Sequence, residues 1–184
     1  DYQYTVTKTW SLIYISSDPI TNGPQGLNTN DWISIAFVGR PGLGSSNAQC
    51  RASAIFQITT HQSGIHDTLT FKACFKYGKG IAIDILESCS YSDDDSSITA
   101  VRIVYNNTSG SQSGGTSVGT YDGAILQLKI GVVPPTTEEY RLQCRCWDNY
   151  DYTGWEEWYG PNGLYDNSGK NYIYAHPQPT VLVD

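Results

Sequence analysis

The amino-acid sequence predicts an all-β chain, an antiparallel sandwich or partly closed barrel with long polar loops and little helix. Three observations predict it. Apolar and polar residues alternate in short runs enriched in β-branched and aromatic side chains. Gly, Pro, Asn, Asp or Ser bounds each run. No stretch keeps apolar spacing of three and four for more than about two turns, and good helix formers rarely cluster.

The first run is long. Between Thr5 and Ile15, Val6, Lys8, Trp10, Leu12 and Tyr14 share one side, while Thr7, Thr9, Ser11 and Ile13 share the other. Further strands are expected at Trp32 to Val38, Ala52 to Thr60, Thr68 to Tyr77, Ile81 to Cys89, Ile98 to Tyr105, Ala124 to Val133 and Tyr140 to Trp147. Tyr172 to Ala175 and Thr180 to Val183 are short candidates for edge strands. Gly78-Lys79-Gly80 reads as the tight turn of a hairpin, because glycine takes the positive φ that such a turn needs. Asn106 to Gly119 has almost no apolar content and reads as an exposed connection, and Pro19 to Asn30 resembles it. With no internal repeat and no linker composition, residues 1–184 are expected to form one domain.

A length of 184 residues allows a substantial apolar core. The sequence has no Met and no charged-then-apolar leader, from which a segment excised from a larger protein is expected. No apolar run approaches the ~18 residues that would cross a bilayer as a helix, so membrane insertion is not expected. Eleven Lys and Arg against eighteen Asp and Glu give a net charge of −7. The nearest approach to a basic cluster along the chain, Lys72, Lys76 and Lys79, is too sparse for the phosphate contacts of nucleic-acid binding. Acidity of this order serves solubility.

Cys50, Cys74, Cys89, Cys144 and Cys146 form an odd set without a Cys-x-x-Cys pair, which favours reduced thiols over a secreted disulfide scaffold. Cys144 and Cys146, two apart on a strand, are expected on one buried face. No metal or other cofactor is expected, because His61, His66 and His176 lack accompanying ligand spacing. Asp93-Asp94-Asp95 is contiguous, where a calcium loop spaces its carboxylates, and reads as a solvated turn. His61, His66 and Asp67 have no nucleophile motif beside them. Glu138, Glu139, Glu156 and Glu157 are the residues a glycoside hydrolase would recruit, but adjacent Glu pairs more often decorate solvent faces, and no catalytic residue is assigned. The glycan acceptor patterns at Asn106 and Asn107 require a secretory route that the cysteine count does not favour.

The most unusual segment is Cys146 to Tyr165, in which Trp147, Trp155 and Trp158 and several tyrosines alternate with Asp148, Asp151, Glu156 and Glu157. Gly154, Gly160, Pro161 and Gly163 make much of it loop. Its rings either fold back as a satellite core, with indole N–H groups finding local partners, or stay accessible as rigid contact area. On the second reading the candidate receptor- or glycan-binding residues are Tyr150, Asp151, Tyr152, Trp155, Trp158 and Tyr159. Trp147 is assigned to strand packing before binding.

The opening YTVTKTWSLIYIS (Tyr4 to Ser16) and the segment CRCWDNYDYTGWEEWYG (Cys144 to Gly160), together with the acidic, Tyr-, Thr-, Ser- and Gly-rich composition, resemble an astrovirus capsid spike domain. That resemblance implies a homodimeric spike on the virion surface of a particle assembled in the host cytoplasm. It also implies attachment to a host-cell receptor and recognition by neutralising antibodies. A carbohydrate-binding module or lectin-like domain would use the same aromatic segment and differs in expecting paired disulfides and a monomer.

Overall fold

The computed structural model describes residues 5–15, 32–38, 51–61, 66–76, 80–90, 97–105, 124–131, 139–149, 154–157 and 180–183. These form ten strands: β1 (Thr5–Ile15), β2 (Trp32–Val38), β3 (Arg51–His61), β4 (Asp67–Lys76), β5 (Gly80–Ser90), β6 (Ile98–Tyr105), β7 (Ala124–Ile130), β8 (Glu139–Asn149), β9 (Glu156–Glu157) and β10 (Thr180–Leu182). A first sheet runs in the order β1-β8-β3-β4-β5 and a second in the order β10-β6-β7-β2-β9. Every pairing is antiparallel, and neither sheet closes into a barrel. Of the two architectures expected, the chain adopts the sandwich.

The alternation that defines the strands also builds the core. In the first sheet, Trp10, Phe56, Ile58, Phe71, Phe75, Leu142, Cys144 and Cys146 face inward. They meet Ile33, Ile35, Val101, Ile103, Leu126, Leu128 and Ile130 from the second sheet in one buried cluster. Phe56 sits among aromatics, stacked on Phe71 at 5.3 Å and edge-on to Trp10 at 6.4 Å. The indole Nε1 of Trp10 donates across the sandwich to the carbonyl of Ile35, at 3.0 Å. That bond ties β1 to β2 in the opposite sheet.

The expected strands at Trp32 to Val38 and Ile98 to Tyr105 match β2 and β6 residue for residue. β4 and β5 pair antiparallel from Lys76↔Gly80 onward, as the hairpin reading requires; residues 77–79 of its turn lie outside the described residues. The expected strand at Tyr172 to Ala175 and both polar loops also lie outside them. β9 is the exception, since the glycines and proline around it predict loop. Two glutamates carry little strand preference by themselves, and their pairing with Ala36 and Phe37 of β2 comes from tertiary placement.

The two sheets bury differently. In β2 and β7 both faces are largely covered, with Phe37 and Ile125 forming a small apolar cluster on the outer side. The outer face of the first sheet alternates strictly between buried and accessible positions along β3 and β8.

Candidate functional site

The described part of the aromatic segment runs from the first sheet to the second. β8 closes at Asn149 on one side of the sandwich, and β9 pairs with β2 on the other, so the chain crosses between the sheets here. Trp155 fills that crossing. It is fully buried, edge-on to Phe56 at 5.8 Å, and its Nε1 donates to the carbonyl of Ala73 at 3.2 Å. Trp155, placed by the sequence among residues open to a receptor, is therefore a core residue with no ring face for a partner. Burying an indole of this size outweighs exposing it, once its N–H has a backbone acceptor. Tyr150, Asp151, Tyr152, Trp158 and Tyr159 lie outside the described residues.

A buried charge cluster holds Trp155 in place. The backbone N–H of Trp155 donates to Asp148 Oδ2 at 2.7 Å, while Lys8 Nζ donates to the Trp155 carbonyl at 2.6 Å and to Asp148 Oδ2 at 3.3 Å. Asp148 is fully buried and the Lys8 side chain is 28 % exposed. An ionised carboxylate at that depth needs a cation and hydrogen-bond donors, and Lys8 and the Trp155 N–H bring both to Oδ2. Gly154 is required beside it, because a Cβ there would fall onto the Asp148 carboxylate, 2.8 Å from its Cγ. The sequence carried a hint of this cluster: alternation along β1 puts Lys8 on the same side as Trp10, where a lysine needs a counter-charge.

A second buried carboxylate joins the sheets elsewhere. Asp67, at the start of β4, accepts from the backbone N–H of Ser97 at 2.6 Å and from the Ser97 hydroxyl, just before β6. Its own N–H donates to Thr60 Oγ1 at 2.9 Å. His66 next to it is exposed. The His-Asp sequence neighbours thus face different environments, and Asp67 works as an inter-sheet tie. Glu156 and Glu157 are both exposed and, as strand neighbours, project to opposite faces of β9. No group of three or more potential metal ligands occurs among the described residues.

The outer side of the second sheet carries a cross-strand ladder. Arg102 packs over the Trp32 ring at 4.0 Å and donates through Nε to Gln127 Oε1 at 2.8 Å, and Gln127 Nε2 donates to Ser34 Oγ at 3.1 Å. Burial lowers the Arg102 pKa from its ordinary value, since desolvation disfavours the charged form. This ladder is packed and its groups are engaged with one another.

The outer face of the first sheet is open. The pairings align Thr7, Trp147, Ile55, Lys72 and Asp84 in one row across all five strands, with Thr9, Arg145, Gln57 and Thr70 in the next. Arg145 and Lys72 are exposed, Ile55 is 37 % exposed, and Trp147 is partly exposed with the Arg145 guanidinium 5.8 Å from its ring centroid. Trp147, assigned from sequence to strand packing, projects from β8 on the side opposite the buried Cys144 and Cys146. Positions 141, 143, 145 and 147 of β8 face outward, a consequence the period of two contains directly.

The buried thiols are shut off from chemistry. Burial pushes the Cys146 thiol up to about 12, with Asp148 adding to the rise and Lys8 opposing it, and burial pushes Cys144 higher still. Both stay protonated at neutral pH and pack as small apolar groups. Cys89 on β5 is exposed and Cys74 intermediate, so burial does not extend to every cysteine.

No family model, no curated protein and no solved structure matches this chain.

Proposed function

We propose that the chain is a recognition domain without a catalytic role, serving as a capsid spike that attaches a virus particle to a host-cell receptor and carries antibody epitopes. One observation carries the proposal. The described residues form a sandwich without helix, firmly tied inside, whose first sheet presents a largely polar, accessible outer face. Rigid β scaffolds with accessible faces suit binding, because little ordering entropy is lost when a partner docks. The resemblance of Tyr4 to Ser16 and Cys144 to Gly160 to astrovirus spikes supplies the biological setting: a virion surface, a homodimer, and assembly in the host cytoplasm.

The test is binding of the labelled 184-residue chain to animal cells. Saturable binding displaced by excess unlabelled chain is expected, with a solution mass of twice 20.3 kDa by light scattering. A chain that binds no susceptible cell and runs as a monomer would end the spike reading. The placement of Trp147 beside Arg145 on an open face favours a second reading, a glycan-binding module of another protein. That module would bind sugar as a monomer.

A further inference from the structure

Charge is sorted on the open face of the first sheet in a way the overall composition does not foreshadow. The chain carries a net charge of −7. Yet among the described side chains on the outer face of β1, β8, β3 and β4 there is no carboxylate, whereas Arg51, Lys72, Arg141 and Arg145 all share that face. Among the described side chains of this face, the acids are Asp84 and Glu87, both on the edge strand β5. Within the cationic part, the one large aromatic is Trp147, flanked in the pairing register by Thr7 and Ile55 and approached by Arg145.

We infer that this face, centred on Trp147 and Arg145, binds an anionic glycan: a sugar bearing carboxylate or sulfate groups. The inference deepens the attachment reading and rests on it for its biological meaning, though the site is defined by its own residues. An indole accepts the C–H face of a pyranose, and a planar guanidinium takes a carboxylate or sulfate through paired hydrogen bonds. At 5.8 Å from the ring centroid, Arg145 reaches the charged substituent of the same sugar that lies against Trp147. Thr9 and Gln57, the register neighbours of Arg145, supply hydroxyl and amide groups that both donate and accept, as sugar hydroxyls require. Lys72 adds positive charge one strand beyond Ile55.

The chemistry of the face favours a glycan over a protein partner. Stable protein interfaces have a largely apolar core, and homodimer interfaces are the most apolar. Among the described side chains of β1, β8, β3 and β4 on this face, Trp147 and Ile55 are the large apolar ones. The backbone groups of the central strands are already paired within the sheet, so no added strand can dock on the face.

The experiment measures binding of the 184-residue chain to immobilised heparin, to N-desulfated heparin and to a sialylated oligosaccharide, with a neutral oligosaccharide as control. Binding to at least one acidic probe that weakens with added salt is expected, with none to the neutral control. Arg145→Gln and Trp147→Ala should each lower affinity tenfold or more, and Lys72→Gln severalfold. Lys129→Gln, on the second sheet, should leave it unchanged. The sialylated arm offers carboxylate without sulfate, whereas heparin carries both, so binding to heparin that falls on desulfation and is absent from the sialylated probe assigns sulfate recognition. No binding to any acidic probe, or equal binding by wild type and Arg145→Gln, overturns the inference. If the chain binds cells while Arg145→Gln has no effect on that binding, the glycan site fails and the attachment reading stands. If acidic glycans bind through Arg145 but no cell does, the reverse holds.

Discussion

Asp67 and Asp148 are both carboxylates lost from solvent, and both fasten parts of the chain far apart in sequence, but they are solvated by different chemistry. Asp148, beside Ala54 of β3, answers a lysine and a backbone N–H and thereby locks Trp155 into the core. Asp67, beside Thr60 near the other end of β3, answers the N–H and hydroxyl of Ser97. The first tie depends on charge balance and the second on acceptor geometry alone. A buried carboxylate is thus no guide to function until its donors are named.

The sharpest way to break the comparison is Asp148→Ala. It leaves Lys8 without its counter-charge and the Trp155 N–H without its acceptor, and should cost about 3–5 kcal/mol in urea unfolding. Gly154→Ala attacks the same tie from the other side, forcing a methyl group onto the carboxylate; about 3 kcal/mol is expected from thermal or urea denaturation. Asp67→Ala should cost about 1–3 kcal/mol, because two donors of Ser97 lose their shared acceptor. Equal losses at positions 67 and 148 would erase the distinction.

The asparagine pair sharpens it. Asn keeps an acceptor oxygen but no charge, so Asp67→Asn should cost only about 1 kcal/mol, whereas Asp148→Asn should cost about 2–3 kcal/mol through the unpaired Lys8. Lys8→Met on the Asp148→Asn background should then return part of the loss. Failure of that rescue would mean that the ion pair contributes little.

A further effect is a slope with pH. Folded Cys144 and Cys146 hold their protons above the pH at which unfolded thiols, near 9.0, release them. Between pH 9 and about 12 the native state binds more protons than the unfolded one. The stability these neutral thiols contribute is therefore complete below pH 9 and lost as pH rises. Each thiol contributes a decline of up to about 1.4 kcal/mol per pH unit. Urea midpoints measured across that range should fall less steeply in Cys144→Ala than in wild type, after normalising to neutral pH.

Most strands were legible because a period of two needs only local residues, and β2 and β6 emerge from it without adjustment. What stayed hidden depends on contacts across the chain. Nothing local marks Trp155 as buried, whereas the period of two alone turns Trp147, two residues beyond Arg145, to the outer face. Their fates follow from strand parity for Trp147 and from the Asp148 tie for Trp155. The cation-rich face was equally hidden, since Arg51, Lys72, Arg141 and Arg145 are scattered in sequence and meet only through the pairing of β8, β3 and β4.

The placement of β8 between β1 and β3 has a consequence for synthesis. Lys8 and Asp148 are separated by 140 residues, so a ribosome adding about 5–20 residues per second leaves β1 without its neighbour for roughly 7–28 s. The β3-β4-β5 meander can assemble in that interval with one edge of β3 open, while β1 lacks its pairing strand. Folding is thus gated by the arrival of a late central strand, and nascent chains stalled before β8 are the species for which chaperones would compete.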